Sequence, residues 1–328
     1  MEKVRLGIVG AGGLSSRKIY TSLGFIPEVS LEAVCDLDEN KAKRNAEKFG
    51  ANLVFTDMEE MLSKASLDAV IICIGPDQHE RLAPIVLKAG LPVYTEKPPA
   101  VDAVGALEVA RVAEEAGILC MTAFKKRYTP IYVRMKQQMG APNFGKPAML
   151  VMQRSFNSYA NTSPRSSFLL DFCIHLLDLA PWLMGKVTRL HALSPEPNTW
   201  AIQMVFESGA VGSLAFCAHT SGMYPDEQVT IYGEKDAMLF TRDGHSLTFA
   251  HDRVYHTLHQ INLTTAGQEG LTESGFLPEI QAFVKAVHTD DRSVVQSDIA
   301  SSYRSMLVHD SIVQSARTGQ WVELEYEI

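Results

Sequence analysis

Short apolar runs alternate with helix-like segments over the first 124 residues of the chain. The runs predict six strands, Val4–Val9, Leu31–Cys35, Leu53–Phe55, Ala69–Ile74, Pro92–Thr95 and Ile118–Ala123. Between them, Glu39–Phe49, His79–Ala89 and Val101–Ala116 have helical character, and a glycine follows each of the last two. Strands separated by helices indicate right-handed crossovers, and therefore a doubly wound parallel sheet with helices on both faces.

The pattern changes after about residue 124, because strands then follow one another with few helices between them. The predicted strands are Ala148–Arg154, Val187–Leu193, Trp200–Phe206, Ala210–Phe216 and Gln228–Tyr232. Two late helices, Glu279–His288 and Ile299–Ala316, precede a final strand at Trp321–Leu324. We therefore predict an α/β protein of two domains, residues 1–124 and 125–328, the second with a mainly antiparallel sheet.

One predicted strand of the second domain has two unlike faces. Its large side chains, Trp200, Ile202, Met204 and Phe206, alternate with Ala201, Gln203 and Val205. The large side chains are expected to pack under helices. The other face is only partly polar, so cover by a partner subunit and exposure to solvent are both open interpretations.

The net charge and the lengths of the apolar runs indicate which classes of partner the chain can bind. A formal charge of −8 at pH 7 disfavours a general nucleic-acid binder, which needs a basic surface. No apolar run approaches the roughly 20 residues that cross a bilayer, and no signal peptide precedes the first strand. We expect a cytoplasmic protein that has no membrane or nucleic-acid partner and that binds small molecules.

A glycine-rich turn follows the first strand and precedes a helix-like stretch, which is the context of a dinucleotide-binding fingerprint. Gly10 permits the tight turn, Gly12 allows close approach of a pyrophosphate, and Gly13 and Leu14 lead into the helix, whose amides bind phosphate. Ser15 stands where the fingerprint has its third glycine. The alternative is an ordinary glycine-rich loop.

Asp36 ends the second strand, where a carboxylate binds the ribose hydroxyls of a dinucleotide. A 2′-phosphate there would meet the like charges of Asp36 and Asp38, and no arginine follows the strand directly. The sequence therefore favours NAD over NADP. The alternative is that Asp36 only caps the next helix.

Two further groups of residues carry candidate chemistry. Glu96, Lys97 and Pro98 follow the fifth strand, at the sheet edge where open α/β folds bind ligands; the alternative is a solvated loop lysine. In the apolar stretch 168–180, a helix would place Asp171, His175 and Asp178 on one stripe. An Asp171–His175 ion pair and a solvent-facing stripe are the structural alternatives.

A metal site is a rival interpretation of the aspartate and histidine. No second His or Cys cluster has ligand spacing, and His251, His256 and His259 are predicted in a solvated connection, so we predict no metal.

These motifs resemble the glucose-fructose oxidoreductase, inositol dehydrogenase and MocA-like family over the whole chain. The matching residues are Gly10-Ala11-Gly12, Pro76 with His79, Glu96-Lys97-Pro98, and Asp171 with His175. The resemblance implies a Rossmann domain followed by an α/β domain with a large open sheet, through which homodimers or homotetramers form. The family commonly has glycines before and after the aspartate, where this chain has Ser166, Ser167, Phe168 and Cys173.

By the same resemblance, the chain transfers hydride between NAD(H) and a secondary alcohol or carbonyl of a sugar, polyol or related cyclic alcohol. The family's catalytic lysine, aspartate and histidine correspond to Lys97, Asp171 and His175. His175 would carry the proton, with Lys97 as its competitor for that role. The expected cofactor-binding residues are Gly10, Gly12, Gly13, Leu14, Asp36, Gly75, Pro76, His79, Glu96 and Lys97.

Substrate contacts are expected at Arg127, Asn157 and Asp178, with Tyr159, Asn161 and Arg165 as further candidates. Two other functions stay open. One is an NAD-sensing binding protein without catalysis, and the other is a glycosidase that uses NAD for transient oxidation.

Overall fold

The computed structural model describes residues 3–157, 159, 167–220, 226–261 and 269–328. The chain forms two compact units. The first comprises Met1–Tyr128 and Ala266–Tyr303, and the second comprises Thr129–Thr265 and Arg304–Ile328. The sequence prediction divides the chain once, after residue 124, and does not include the return of residues 266–303 to the first unit.

The first unit contains a six-stranded sheet in the order β3-β2-β1-β4-β5-β6, with every pair parallel, as predicted. Its strands are β1 Val4–Val9, β2 Val29–Cys35, β3 Leu53–Phe55, β4 Ala69–Ile72, β5 Val93–Thr95 and β6 Cys120–Thr122. Its first helices are α1 Tyr20–Leu23, α2 Glu39–Phe49, α3 Met58–Lys64, α4 Pro76–Lys88 and α5 Ala103–Ala116, with a π-helical turn at Ser15–Ile19 and a 3-10 turn at Lys125–Arg127.

Local sequence signals account for the ends of these helices. The Asp38 carboxylate accepts hydrogen bonds from the first amides of α2, and Gly50 ends that helix at φ +81°. Asp102 caps α5 in the same way, and Gly117 ends it at φ +66°. Both glycines adopt the left-handed conformation that other residues rarely take.

Two late helices complete the core of the first unit, α8 Glu269–Glu273 and α9 Phe276–Thr289. Ile280 and Phe283 of α9 are fully buried in the cluster that contains Ile8 and Ile71 of the sheet. The Tyr94 ring on β5 lies 5.7 Å from that of Phe283. The apolar face of α9 therefore belongs to the parallel sheet, although about 150 residues separate it from β6.

The second unit contains a nine-stranded sheet in the order β14-β13-β12-β11-β7-β10-β9-β8-β15. Its strands are β7 Pro147–Asn157, β8 Val187–Glu196, β9 Thr199–Phe206, β10 Val211–Thr220, β11 Asp226–Gly233, β12 Ala237–Arg242, β13 Ser246–His251, β14 Val254–Gln260 and β15 Val322–Glu323. The β7–β10 pair is parallel and the other pairs are antiparallel, which confirms the mainly antiparallel prediction.

Three helices accompany this sheet along the chain, α6 Pro130–Met139, α7 Ile174–Met184 and α10 Ile299–Thr318, and a π-helical turn at Leu169–Cys173 leads into α7. The unit boundary after Tyr303 falls within α10. Within the described ranges, no helix has the length and apolar character to cross a membrane.

The structure corrects one prediction and confirms another. His251, His256 and His259 lie on strands β13 and β14, not in a connection. The predicted faces of β9 are confirmed: Trp200, Ile202, Met204 and Phe206 are buried, whereas Ala201 and Gln203 are exposed and Val205 is half-buried.

A buried charged pair connects β7 and β11. Arg154 donates a hydrogen bond to the Glu227 carboxylate, and the Tyr132 hydroxyl of α6 donates to the other oxygen at 2.8 Å. Glu227 is 4 % exposed and Tyr132 is 1 % exposed. Because a buried carboxylate needs donors to replace water, Tyr132 stabilises the ionised form of Glu227.

We predict that Tyr132→Phe lowers the free energy of unfolding by about 1.5–3 kcal/mol, the usual range for a hydrogen bond to a charged group. Urea denaturation measures the loss. Tyr255→Phe is the matched control, because Tyr255 is 70 % exposed, and it is expected to change stability by less than about 0.5 kcal/mol. Equal stabilities for Tyr132→Phe and the control would contradict this role.

Candidate functional site

The turn after β1 presents bare backbone at its surface. Gly10 has φ +106°, and a Cβ there would lie 2.2 Å from the carbonyl oxygen of Cys73, so this position requires glycine. Gly12, Gly13 and Leu14 are exposed, and apart from the residues next to Gly12 in the chain, no described atom lies within 4 Å of a Cβ built on Gly12. The turn is therefore open to close approach by a ligand, as a pyrophosphate requires.

Two residues that follow the turn, Ser15 and Arg17, lie beside it. Ser15 is 1 % exposed, and its hydroxyl donates to the Gly12 carbonyl at 3.0 Å, so the small side chain fits where the fingerprint has glycine. The guanidinium of Arg17 lies near Gly13, 3.2 Å from the position of a Cβ there. Sequence reasoning missed this cation, although a basic residue in the first helical turn after a glycine-rich loop is a usable signal.

The Asp36 side chain is hydrogen-bonded to the same turn. One carboxylate oxygen accepts from the Ala11 amide at 2.7 Å, and the other accepts from the Asp38 amide at 2.9 Å. The N-cap of α2 is Asp38, so the interpretation of Asp36 as a mere helix cap is wrong. These two amides fix the half-buried Asp36 carboxylate at the carboxyl end of β2, beside the turn.

The loop after β5 carries Glu96 and Lys97. Glu96 is 4 % exposed, Lys97 is half-buried, and the Lys97–Pro98 peptide bond is cis. The Lys97 amide donates to the Glu96 carboxylate at 2.9 Å. Burial raises the pKa of Glu96, while the charge and amide of Lys97 act in the opposite direction.

His79 joins two loops at this edge of the sheet. Its Nδ1 donates to the Pro98 carbonyl at 2.8 Å, and its Nε2 accepts from the Ile74 amide at 3.2 Å. Burial lowers the pKa of His79 to about 4, so the ring is neutral at physiological pH. Gly75 and Pro76 begin α4 beside it. His79 shapes these loops, and its direct contact with a cofactor stays a prediction.

In the second unit, Asp171 and His175 lie where the π-helical turn passes into α7. The sequence predicts an ordinary helix here, but the π-helical turn places more residues in each turn than the expected spacing assumes. The Tyr159 hydroxyl donates to the Asp171 carboxylate. His175 is 9 % exposed, and Asp171 is half-buried.

Aromatic rings pack against Tyr159, the donor to Asp171. The Tyr159 ring lies 5.6 Å from that of Phe172 and 6.1 Å from that of Phe168. Phe156 of β7 lies 4.6 Å from Phe172. These contacts hold the tyrosine that binds the aspartate, so the orientation of Asp171 depends on packing as well as on its hydrogen bond.

The three expected substrate contacts have different environments. Arg127 is 4 % exposed and donates to the Gln296 carbonyl and, at 3.0 Å, to the Ser301 hydroxyl. Asp178 is fully buried, not on a stripe facing a cleft, and accepts from the Ser305 hydroxyl at 2.7 Å. Asn157 is exposed at the end of β7. Their substrate contacts stay predictions, and Asn161 and Arg165 lie outside the described residues.

Several curated relatives of the chain are inositol 2-dehydrogenases. The inositol 2-dehydrogenase of Rubrobacter xylanophilus is 26 % identical over 97 % of this chain and 92 % of its own length. Inositol 2-dehydrogenase 2 of Saccharopolyspora erythraea is 28 % identical over 56 % of this chain. The chain spans about half the length of that relative, 54 %, and 55 % of a second one from the same organism.

Solved structures share the fold of the whole chain. A dehydrogenase from Chromobacterium violaceum has a TM-score of 0.87 and 21 % identity, over 98 % of this chain and 97 % of its own. Levoglucosan dehydrogenase in complex with NADH and L-sorbose has a TM-score of 0.85 and 18 % identity, over 99 % of this chain and 100 % of its own. At these identities the likeness shows the fold alone.

Two family models divide the chain between them. One, described as the NAD-binding Rossmann fold of an oxidoreductase family, matches residues 4–124. The other, the C-terminal α/β domain of that family, matches residues 136–324. The resemblance drawn from the motifs is thus confirmed, and the chain belongs to the Gfo/Idh/MocA oxidoreductase family.

Proposed function

We propose that the protein is an NAD(H)-dependent oxidoreductase that transfers hydride between nicotinamide and a secondary alcohol or carbonyl of a sugar, polyol or related cyclic alcohol. The observation that carries this proposal is the open turn Gly10–Leu14 beside the fixed Asp36 carboxylate. The inositol 2-dehydrogenase relatives, and NADH and L-sorbose in levoglucosan dehydrogenase, support the substrate class.

The residues of the first unit fit a dinucleotide. The exposed residues Gly13 and Leu14 and the nearby guanidinium of Arg17 suit a pyrophosphate, and Asp36 suits the ribose hydroxyls. The carboxylate also favours NAD over NADP, because a 2′-phosphate there would meet like charge. When bound, the cofactor supplies the hydride acceptor or donor.

Side chains of the protein accept the hydroxyl proton and stabilise the negative charge on the substrate oxygen. His175 takes the hydroxyl proton during oxidation, because imidazole exchanges protons near neutral pH. Asp171 accepts a hydrogen bond from Tyr159, and its proposed role is to orient His175. Lys97 donates to the same substrate oxygen and stabilises the developing alkoxide. Lys97 lies in the first unit and His175 in the second.

We also propose that a second copy of the chain covers the outer face of the nine-stranded sheet, giving a cytoplasmic homodimer or homotetramer. Met149 of β7 pairs with Val211 of β10 and with Tyr232 of β11. These three side chains are 36 %, 43 % and 42 % exposed, so they form an apolar stripe across neighbouring strands. An exposed stripe of this kind is typical of an interface.

NADH is expected to bind much more tightly than NADPH, and Asp36→Ser is expected to weaken NADH binding by about tenfold, because a charge-assisted hydrogen bond to the ribose is lost. Quenching of intrinsic fluorescence on titration measures both affinities. Glu39→Gln removes an exposed charge three residues away and is expected to leave NADH affinity unchanged. Equal affinities of the wild-type protein for NADH and NADPH would refute the cofactor assignment.

Lys97→Met and His175→Asn are each expected to lower turnover by about 100-fold or more while retaining NADH binding, because each removes a group that acts on the reacting oxygen. NADH absorbance with a panel of polyols and sugars, together with product analysis, measures this. The exposed-site controls are Lys88→Met and His256→Asn. Sugar release without net NADH would indicate the glycosidase, and cofactor binding without turnover would indicate a sensor.

Met149→Lys is expected to dissociate the oligomer, since it puts an unpaired ammonium group in the middle of the apolar stripe. Sedimentation velocity measures the change in mass. Val104→Lys on α5, where Val104 is 65 % exposed, is the control outside the second unit. A monomeric wild-type protein, or a Met149→Lys variant of unchanged mass, would exclude this interface.

A further inference from the structure

Two buried polar side chains of the first unit are linked to the glycine-rich turn. Tyr20 of α1 is 1 % exposed, and Asn45 of α2 is 7 % exposed. Asn45 lies on the apolar face of α2, which also buries Ala42 and Ala46. Because a buried amide without partners costs free energy, an asparagine on this face requires hydrogen bonds.

These side chains form a series of hydrogen bonds that ends on two carbonyl groups of the turn. The Asn45 amide donates to the Ser16 hydroxyl at 2.9 Å, and that hydroxyl donates to the Gly12 carbonyl at 2.7 Å. Asn45 also has a side-chain hydrogen bond with Tyr20, whose hydroxyl donates to the Gly10 carbonyl at 3.3 Å. We refer to Tyr20, Asn45 and Ser16 as the turn network, with one branch through Tyr20 and one through Ser16.

Each of the two carbonyl groups shares a planar peptide group with the amide that follows it. The Gly10–Ala11 and Gly12–Gly13 bonds are trans, so each amide points away from its carbonyl and from the donor to that carbonyl. The Ala11 amide donates to the Asp36 carboxylate at 2.7 Å. The Gly13 amide donates no hydrogen bond within the described part of the chain. The turn network therefore sets the direction of one amide that orients Asp36 and of another in the exposed part of the turn.

We propose that the residues of the turn network are positioning residues for the dinucleotide. The Tyr20 branch orients the Asp36 carboxylate for the ribose, and the Ser16 branch orients the Gly13 amide for the pyrophosphate. Asn45 joins the two branches, so one buried side chain acts on both ends of the cofactor site. Tyr20 and Asn45 are too deeply buried to contact the cofactor themselves. This role rests on the proposed function, because it concerns the same NAD site.

Tyr20→Phe tests the first branch. The variant keeps the ring, which stacks on that of Phe49 at 5.1 Å, and removes only the hydroxyl. Binding of both NADH and adenosine is expected to weaken by about three- to tenfold, because the carboxylate that faces the ribose loses its fixed orientation. Titration with NADH, and displacement of NADH by adenosine, measure the two affinities.

Tyr132→Phe is the matched control for Tyr20→Phe. It also removes one hydroxyl from a buried tyrosine, but Tyr132 belongs to the second unit. It is expected to lower stability and to leave the affinities for NADH and adenosine unchanged. If Tyr20 only stabilises the fold, Tyr20→Phe will likewise lose stability without losing affinity, and this result would overturn the proposed role.

Ser16→Ala separates the second branch from the first. ADP and NADH are expected to bind about threefold more weakly, whereas adenosine, which has no phosphate, binds as before. The loss is small because the Ser15 hydroxyl still donates to the Gly12 carbonyl at 3.0 Å. Ser16→Thr keeps the hydroxyl and is expected to restore the affinity for ADP. Equal losses for ADP and adenosine in Ser16→Ala would contradict this branch.

Asn45→Leu removes the side chain that joins the branches and has a similar volume. It is expected to weaken NADH, ADP and adenosine by about tenfold or less. Combined with Tyr20→Phe, it is expected to cause a smaller loss of NADH affinity than the product of the two single losses, since both act on one network. Asn52→Leu, at an exposed position before β3, is the control. Fully multiplicative losses would mean that Asn45 and Tyr20 act independently.

Steady-state kinetics distinguish positioning of the cofactor from a change in the chemical step. Tyr20→Phe and Asn45→Leu are expected to raise the KM for NAD while leaving turnover at saturating NAD unchanged. If the wild-type protein binds neither NADH nor ADP, the proposed function fails and the turn network has no dinucleotide to position. If the wild-type protein binds both and the two variants bind them equally well, only the role of the turn network is refuted.

Discussion

A parallel sheet has two apolar faces, and covering both of them is the constraint on which the rest of this structure depends. All four residues of β4 are buried, so neither face of the sheet centre is left to solvent. One face is completed by α9, a helix encoded after the whole nine-stranded sheet. The chain must therefore return to its first unit after the nine-stranded sheet.

Local patterns predicted most elements of the first unit, because each strand and helix there has its own turn, cap or glycine. They predicted α9 as a helix but not its location, since an amphipathic pattern does not identify the sheet that it covers. Strands β12 to β14 were missed for a different reason. Between β12 and β13, Asp243-Gly244 is a hairpin signal that the sequence analysis did not use. Between β13 and β14, Asp252 and Arg253 both have positive φ, and an arginine at such a position does not indicate a hairpin.

The candidate site was predictable where backbone geometry restricts the residue type. Position 10 requires glycine, because a Cβ there would lie 2.2 Å from a backbone carbonyl oxygen. Asp36 was predictable from its place at the end of β2, beside the turn to which it is hydrogen-bonded. The π-helical turn at Leu169–Cys173 was not predictable, because its apolar residues would suit an ordinary helix equally well. Asp178 is buried against Ser305 of α10, which is a tertiary contact. The sequence pattern around Asp178 does not indicate this contact.

The carboxylates of the candidate site have one property in common. Asp36 accepts two backbone amides, Glu96 accepts the amide of Lys97, and Asp171 accepts the hydroxyl of Tyr159. Donors of this kind hold a carboxylate in one orientation. The orientation of all three carboxylates is therefore set by donors within the chain itself, before any ligand is bound.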